Sequence, residues 1–116
     1  MTHQATVTVV NGQVQVSDAK LKPKGKPATL VWTLATPGYV FTSNGIAITG
    51  NNGQFSNPAP SSGNTVFSWQ DANTDALEYA YNIAVQLAGQ PHGILRLDPT
   101  IQNTNTYLKP IRLEFA

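Results

Sequence analysis

The sequence has no cysteine, which removes disulfides, thiolate nucleophiles and thiolate metal sites together. Charge is also scarce. Only 11% of the 116 residues are Asp, Glu, Lys or Arg, and the net charge is +1, where a typical soluble domain carries about 25% charged residues. A chain so nearly neutral has no field to draw it to nucleic acid or to an anionic membrane, and neither is expected as a partner. No apolar run is long enough to span a bilayer. Thr2, His3, Gln4, Thr6 and Thr8 interrupt the start of the chain, so no signal peptide is read and the expected location is the cytoplasm. Histidine is limited to His3 and His92, with no HxH, HxxxH or HExxH spacing. That excludes the usual zinc sites and, without a thiolate, a blue-copper site, so no metal or cofactor is expected. No phosphate-cradling loop and no nucleophile elbow are present, and His92, between Pro91 and Gly93, reads as a loop tip.

What the chain does have is 41% hydrophobic residues, enough for one core without covalent staples. The clearest pattern lies at 77–87, where Leu77, Tyr79, Tyr81, Ile83, Val85 and Leu87 alternate with smaller or polar residues. Period two over that length is a strand with one apolar face. Residues 4–10 and 13–17 flank Asn11-Gly12, a pair whose tolerance of positive φ predicts a hairpin. Strands are also expected at 28–36, 39–42, 46–49 and 65–69, at 94–97 with a stop at Asp98-Pro99, and at 111–115, where Ile111, Leu113 and Phe115 alternate with Arg112 and Glu114. Residues 57–64 hold two prolines and a glycine and read as an irregular loop, and 70–74 read as a polar turn. Eight or nine short strands without a helix predict one all-β domain over 1–116, an immunoglobulin-like β-sandwich with Greek-key connections. Trp32 is its candidate core tryptophan. Tyr79 stands where a tyrosine corner would return its hydroxyl to the backbone.

Three groups of residues bear on function. Lys20, Lys22, Lys24 and Lys26 fall on every second position and project from one side of an extended chain. They read as a solvated edge, or as a patch for an anion or an acidic partner. Asp71, Asn73 and Asp75 have the spacing of the first half of a calcium loop, but the required glycine and distant glutamate are missing, so a turn capped by side chains is expected. The aromatic residues Trp32, Trp69, Tyr39, Tyr79, Tyr81 and Tyr107 would suit a carbohydrate-binding face if two rings were exposed and coplanar, although parity places both tryptophans inward. Asp98-Pro99 is also of chemical interest. The aspartate can act on its own following carbonyl, and the proline nitrogen leaves easily once protonated.

The run 97–103, Leu-Asp-Pro-Thr-Ile-Gln-Asn, the ladder before it and the late strand opening at Pro110 resemble the DP-EP family. These are small bacterial β-sandwich proteins of unassigned function, some associated with self-cleavage at an aspartyl-prolyl bond near the C-terminus. The resemblance implies that Asp98 and Pro99 match the first family dipeptide. The second, an acid followed by proline, falls on Lys109 and Pro110, where the acid is absent. Asp98-Pro99 is then the remaining scissile candidate, with Asp71 or Asp75 as its acid or base if the fold brings that turn near. The sequence therefore reads first as a structural or protein-interaction module that binds itself or another protein, with a homo-oligomer as one form of that role. The alternatives are a self-cleaving endopeptidase acting through Asp98 and a carbohydrate-binding module.

Overall fold

Alternation of large apolar side chains along the strands builds two facing sheets. The computed structural model describes residues 2–90 and 93–104. The first sheet has the order β2-β1-β4-β7-β6, from β1 (Thr2–Val10), β2 (Gln13–Val16), β4 (Ala28–Leu34), β6 (Phe55–Ser61) and β7 (Val66–Asp71). The second has the order β3-β10-β8-β5, from β3 (Lys20–Leu21), β5 (Tyr39–Ile48), β8 (Glu78–Leu87) and β10 (Thr100–Gln102), with β9 (Leu95–Leu97) also on β8. Both sheets are mixed, since β1 runs parallel to β4 and β3 parallel to β10. The fold is all-β, an immunoglobulin-like sandwich in which the chain repeatedly crosses between layers.

The hairpin at Asn11-Gly12 forms, with both residues at positive φ, and it joins β1 to β2. The long ladder also forms: Tyr79, Tyr81, Ile83 and Val85 are buried, while Leu77 and Leu87 at its ends are exposed. Trp32 on β4 is the core tryptophan, fully buried, and it meets Tyr81 on β8 across the layers. The rings lie 5.3 Å apart at 56°, and the indole N–H donates to the Tyr81 hydroxyl at 3.0 Å. Burial pushes the Tyr81 phenol up to about 12, so the hydroxyl stays neutral. Among the described residues, Tyr79 makes no bond to the backbone of the kind a tyrosine corner needs. Its hydroxyl donates to the Asp75 carboxylate, and its ring packs edge-on against Phe55 at 5.0 Å.

Four elements differ from the expectation. Ten strands form among the described residues alone, where eight or nine were expected over the whole chain. Residues 39–42 and 46–49 belong largely to one strand, β5, broken by a bulge between Phe41 and Ile46. The bulge turns on the buried Gly45, where a Cβ would come 2.5 Å from the Phe41 Cβ. Residues 57–61, expected in a loop, form most of β6. This strand tolerates Pro58 and Pro60 because it lies at the sheet edge, where no outer partner needs their N–H. Finally, β9 stops at Leu97, before Asp98-Pro99, as expected, but the pairing resumes beyond it in β10. β9 and β10 pair with β8 in one continuous register, and the Tyr81 N–H donates to the Pro99 carbonyl at 3.0 Å between them. The expected strand at 111–115 lies outside the described residues, as do His92 and Tyr107.

Two substitutions test this core. Tyr81→Phe leaves the buried indole N–H without its acceptor and should cost about 1–3 kcal/mol in a urea titration with unchanged m-value. Gly45→Ala forces the bulge against Phe41 and should cost about 1–3 kcal/mol by the same measurement.

Candidate functional site

The sequence-derived carboxylates fall into two separate places. Asp98 lies opposite Asn82 in the continuous β8 ladder and is exposed, while Pro99 beside it is buried. The Asn82 side-chain N–H donates to Asp98 Oδ1 at 2.7 Å, and Arg96 donates to Asn82 Oδ1 at 3.2 Å. Asn82 and Arg96 carry no motif and were not among the residues singled out from the sequence. Only the strand register brings them to Asp98. The carboxylate is therefore oriented, but it sits in water and not in an apolar pocket.

Asp71 and Asp75 lie elsewhere, at the end of the sandwich where β7 stops and β8 begins. Asp75 accepts one hydrogen bond from Asn103 Nδ2 at 3.0 Å. Asn103 is five positions beyond Asp98, about 17 Å along an extended strand. The fold thus brings Asp71 and Asp75 to the Asn103-Thr104 segment and not to the Asp98-Pro99 bond.

This end of the molecule is a buried polar cluster set in an apolar row. Along β7, Phe67, Trp69 and Asp71 share the inward face, and from the other sheet Leu97, Pro99, Ile101 and Asn103 do the same. Asp71 and Asn103 are the polar ends of these two rows, at 0% and 1% exposure. Asp71 Oδ1 accepts the Asn73 backbone N–H at 2.8 Å, the side-chain cap expected for this turn. Asn103 Nδ2 donates to Gln54 Oε1 at 3.1 Å as well as to Asp75, and the Asn103 N–H joins the ladder at Leu77. Asn73 holds the next residue, its Oδ1 accepting from the Thr104 N–H at 2.8 Å and its Nδ2 donating to Thr104 Oγ1 at 3.2 Å. The Thr104 hydroxyl donates in turn to the Pro23 carbonyl. Among the described residues, two buried oxygens have no partner, Asp71 Oδ2 and Asn103 Oδ1.

Burial pushes the Asp71 carboxyl up from 3.8 to about 6. The Asn73 amide and the Asn103 carboxamide oppose the rise, and the Asp75 carboxylate adds to it. No group of three His, Cys, Asp or Glu residues able to hold a metal occurs among the described residues. Asn103 and Gln54 were not singled out from the sequence. Extending the inward parity of 97–101 by one step would have marked Asn103, whereas Gln54 is brought in by topology alone.

Lys20, Lys22 and Lys24 alternate with buried Leu21 and Pro23, so these lysines do project outward as parity predicts. Lys20 pairs with Glu78 at 3.5 Å, both side chains half exposed, and Lys26 precedes a cis proline. Trp32 and Tyr81 are fully buried and Trp69 is half-buried, its indole N–H donating to the Ile46 carbonyl at 2.8 Å. The two tryptophans therefore form no exposed platform for a sugar ring. Lys109 and Pro110 lie outside the described residues. No family model matches the chain, and no curated protein matches it.

The raised carboxyl gives a signed prediction. Between 3.8 and about 6 the folded chain keeps a proton on Asp71 that the unfolded chain releases, so stability falls as pH rises through this window. Asp71→Asn removes the ionisation and retains an Oδ1 acceptor. It should stabilise the protein above the window by on the order of 1–3 kcal/mol, with no gain below it, in urea titrations at several pH values.

Proposed function

We propose that this small all-β module with two sheets works as a structural or protein-interaction unit that associates with a second copy of itself. The observation that carries this reading is the apolar end opposite the Asp71 cluster. Val10, Leu87 and Ile94 are 40–45% exposed there. Ile94 lines a cleft of about 370 Å³ with Leu95, Gly12, Gln13 and Val14, at the place where β2 and β9 diverge. Val10 precedes the turn that enters this cleft, and Leu87 closes the strand that leads round to it. Large apolar groups brought together at one end mark an interaction site. The near-neutral net charge opposes self-contact very little, and a two-fold arrangement would cover the same patch on both copies.

Ile94→Lys and Leu87→Lys should each weaken association by roughly 10–100-fold. Light scattering over a dilution series reads this directly. A parent protein that stays monomeric at every concentration removes the self-association reading.

The second reading is self-cleavage at Asp98-Pro99, as the DP-EP resemblance implies. The Arg96–Asn82–Asp98 chain of hydrogen bonds favours it, because it holds the carboxylate beside its own peptide bond. Against it, the bond is clamped in a ladder, and neither Asp71 nor Asp75 stands near. Intact mass after prolonged incubation separates the two. The interaction reading predicts one unchanged mass for the parent and for Asp98→Asn. Fragments from the parent, ending at Asp98 and absent in Asp98→Asn, would put self-cleavage in its place.

A further inference from the structure

β3 ends the second sheet, and its outer side faces no strand among the described residues. The Ala19 carbonyl accepts the Thr100 N–H at 3.0 Å, and the Pro23 carbonyl accepts from the Thr104 hydroxyl. The odd-numbered residues of this stretch therefore turn their backbone groups inward, toward β10. Alternation then turns the N–H and C=O of Lys20 and Lys22 to the open side. Pro23 holds Lys22 extended, because a residue before proline is driven from the helical region. Its own missing N–H falls on the inner side, where an incoming strand loses nothing by it. Leu21 and Pro23 are buried and fix the backbone beneath the lysines. Gly25, at φ 86, turns the chain and ends the run at Lys24.

The side chains add a charge pattern to this open edge. Lys20, Lys22 and Lys24 are exposed and stand on one face at intervals of about 6.6–6.8 Å. Four of the seven Lys and Arg residues of the chain fall within 20–26, and residues 19–70 hold no Asp or Glu. Lys20 already holds a carboxylate, that of Glu78 at 3.5 Å. Among the described residues, no carboxylate lies within ion-pair distance of Lys22 or Lys24. Lysines along an edge repel a second copy of the same edge. The same charges select a strand that carries acids. We propose that the Lys20–Lys24 edge binds an extended acidic segment of another protein, which adds as a strand beside β3 and sets carboxylates at alternate positions against Lys20, Lys22 and Lys24.

Two kinds of contact act together in this mode. Open backbone groups supply the hydrogen bonds of an added strand, and the lysine spacing matches the two-residue period of the acids. Each exposed ion pair contributes little alone, so recognition rests on three charges held in phase. The edge is level with Tyr79 and Ala80 of β8, whereas Ile94 lies beyond the Val85 end of the ladder. Binding here is therefore separate from self-association through the apolar end.

The test uses the full chain and three probes: the peptide acetyl-Thr-Glu-Thr-Glu-Thr-Glu-Thr-amide, its isomer acetyl-Glu-Glu-Glu-Thr-Thr-Thr-Thr-amide, and a short oligothymidylate. Amide shifts and hydrogen exchange are followed by NMR at low salt. In the free protein the Lys22 amide should exchange freely while the Tyr81 amide, bonded to the Pro99 carbonyl, is protected. The alternating peptide should protect the Lys20 and Lys22 amides and bind at least about 10-fold more tightly than its isomer. Lys22→Glu and Lys24→Glu should each weaken it by about 3- to 10-fold, and Glu78→Gln, which frees Lys20, should tighten it by about 2- to 5-fold. Equal binding of the two peptides reduces the edge to unspecific charge attraction and overturns the proposal. So does tighter binding of the oligothymidylate, no binding of the alternating peptide, or a Lys22 amide as protected in the free protein as that of Tyr81. The parent readouts decide the matter even if a variant fails to fold.

Discussion

The sandwich depends on the contact between Trp32 and Tyr81. It joins the middle of β4 to the middle of β8, the central strand of the second sheet. The ring pair contributes about 0.5–1.5 kcal/mol beyond its burial. It also ties the two layers by a buried hydrogen bond, the indole N–H donating to the phenol oxygen. Around it, Leu30, Phe67, Phe41, Ile83, Val85 and Ile101 close the remaining space. A small domain without disulfides depends on such a contact, since nothing covalent holds its layers in register.

Toward one end of the molecule this apolar core gives way to polar groups. Phe55 and Tyr79 are the last rings, and beyond them the inward rows finish in Asp71 and Asn103. An immunoglobulin-like sandwich can be sealed at its end by a loop or by more apolar residues. Here it is sealed by carboxamides and carboxyls whose hydrogen bonds tie the 73–75 turn, Gln54 and the 103–104 segment into one network. Packing holds the middle of the molecule, and protonation state bears on this end.

The legible part of this architecture was the part set by local chemistry. Alternation at 77–87 gave the central strand, and Asn11-Gly12 gave the hairpin, because period and positive φ are properties of adjacent residues. Trp32 was placed in the core by its parity with Leu30 and Leu34. The same local reasoning failed where tertiary position overrides it. Pro58 and Pro60 argue for a loop until the strand is known to be an edge. Asp98-Pro99 does end β9, but that the chain resumes on β8 in the same register as β10 is visible only from the pairing. Asp71 was singled out for its carboxylate and assigned to a polar turn, but its inward position between Ala28 and Phe55, and the burial that raises its titration, come from strands far away in sequence. The pairing of Asp98 with Asn82 was not readable at all, since only the pairing of strands makes it.

The proline-bearing strand β6 has a further consequence. Of the other lateral borders among the described residues, β2 is four residues long and β3 two, and β5 already sends its Phe41 N–H and Ile46 carbonyl to groups of the opposite layer, at Asn64 and Trp69. β6 is a seven-residue border of the first sheet among the described residues, and its prolines cannot donate to an incoming strand. Growth by adding sheet to sheet, the route to fibres, is therefore blocked on that side. A nearly uncharged protein has little electrostatic repulsion to keep its copies apart in a crowded solution, and here the backbone chemistry of one edge opposes strand-to-strand contact.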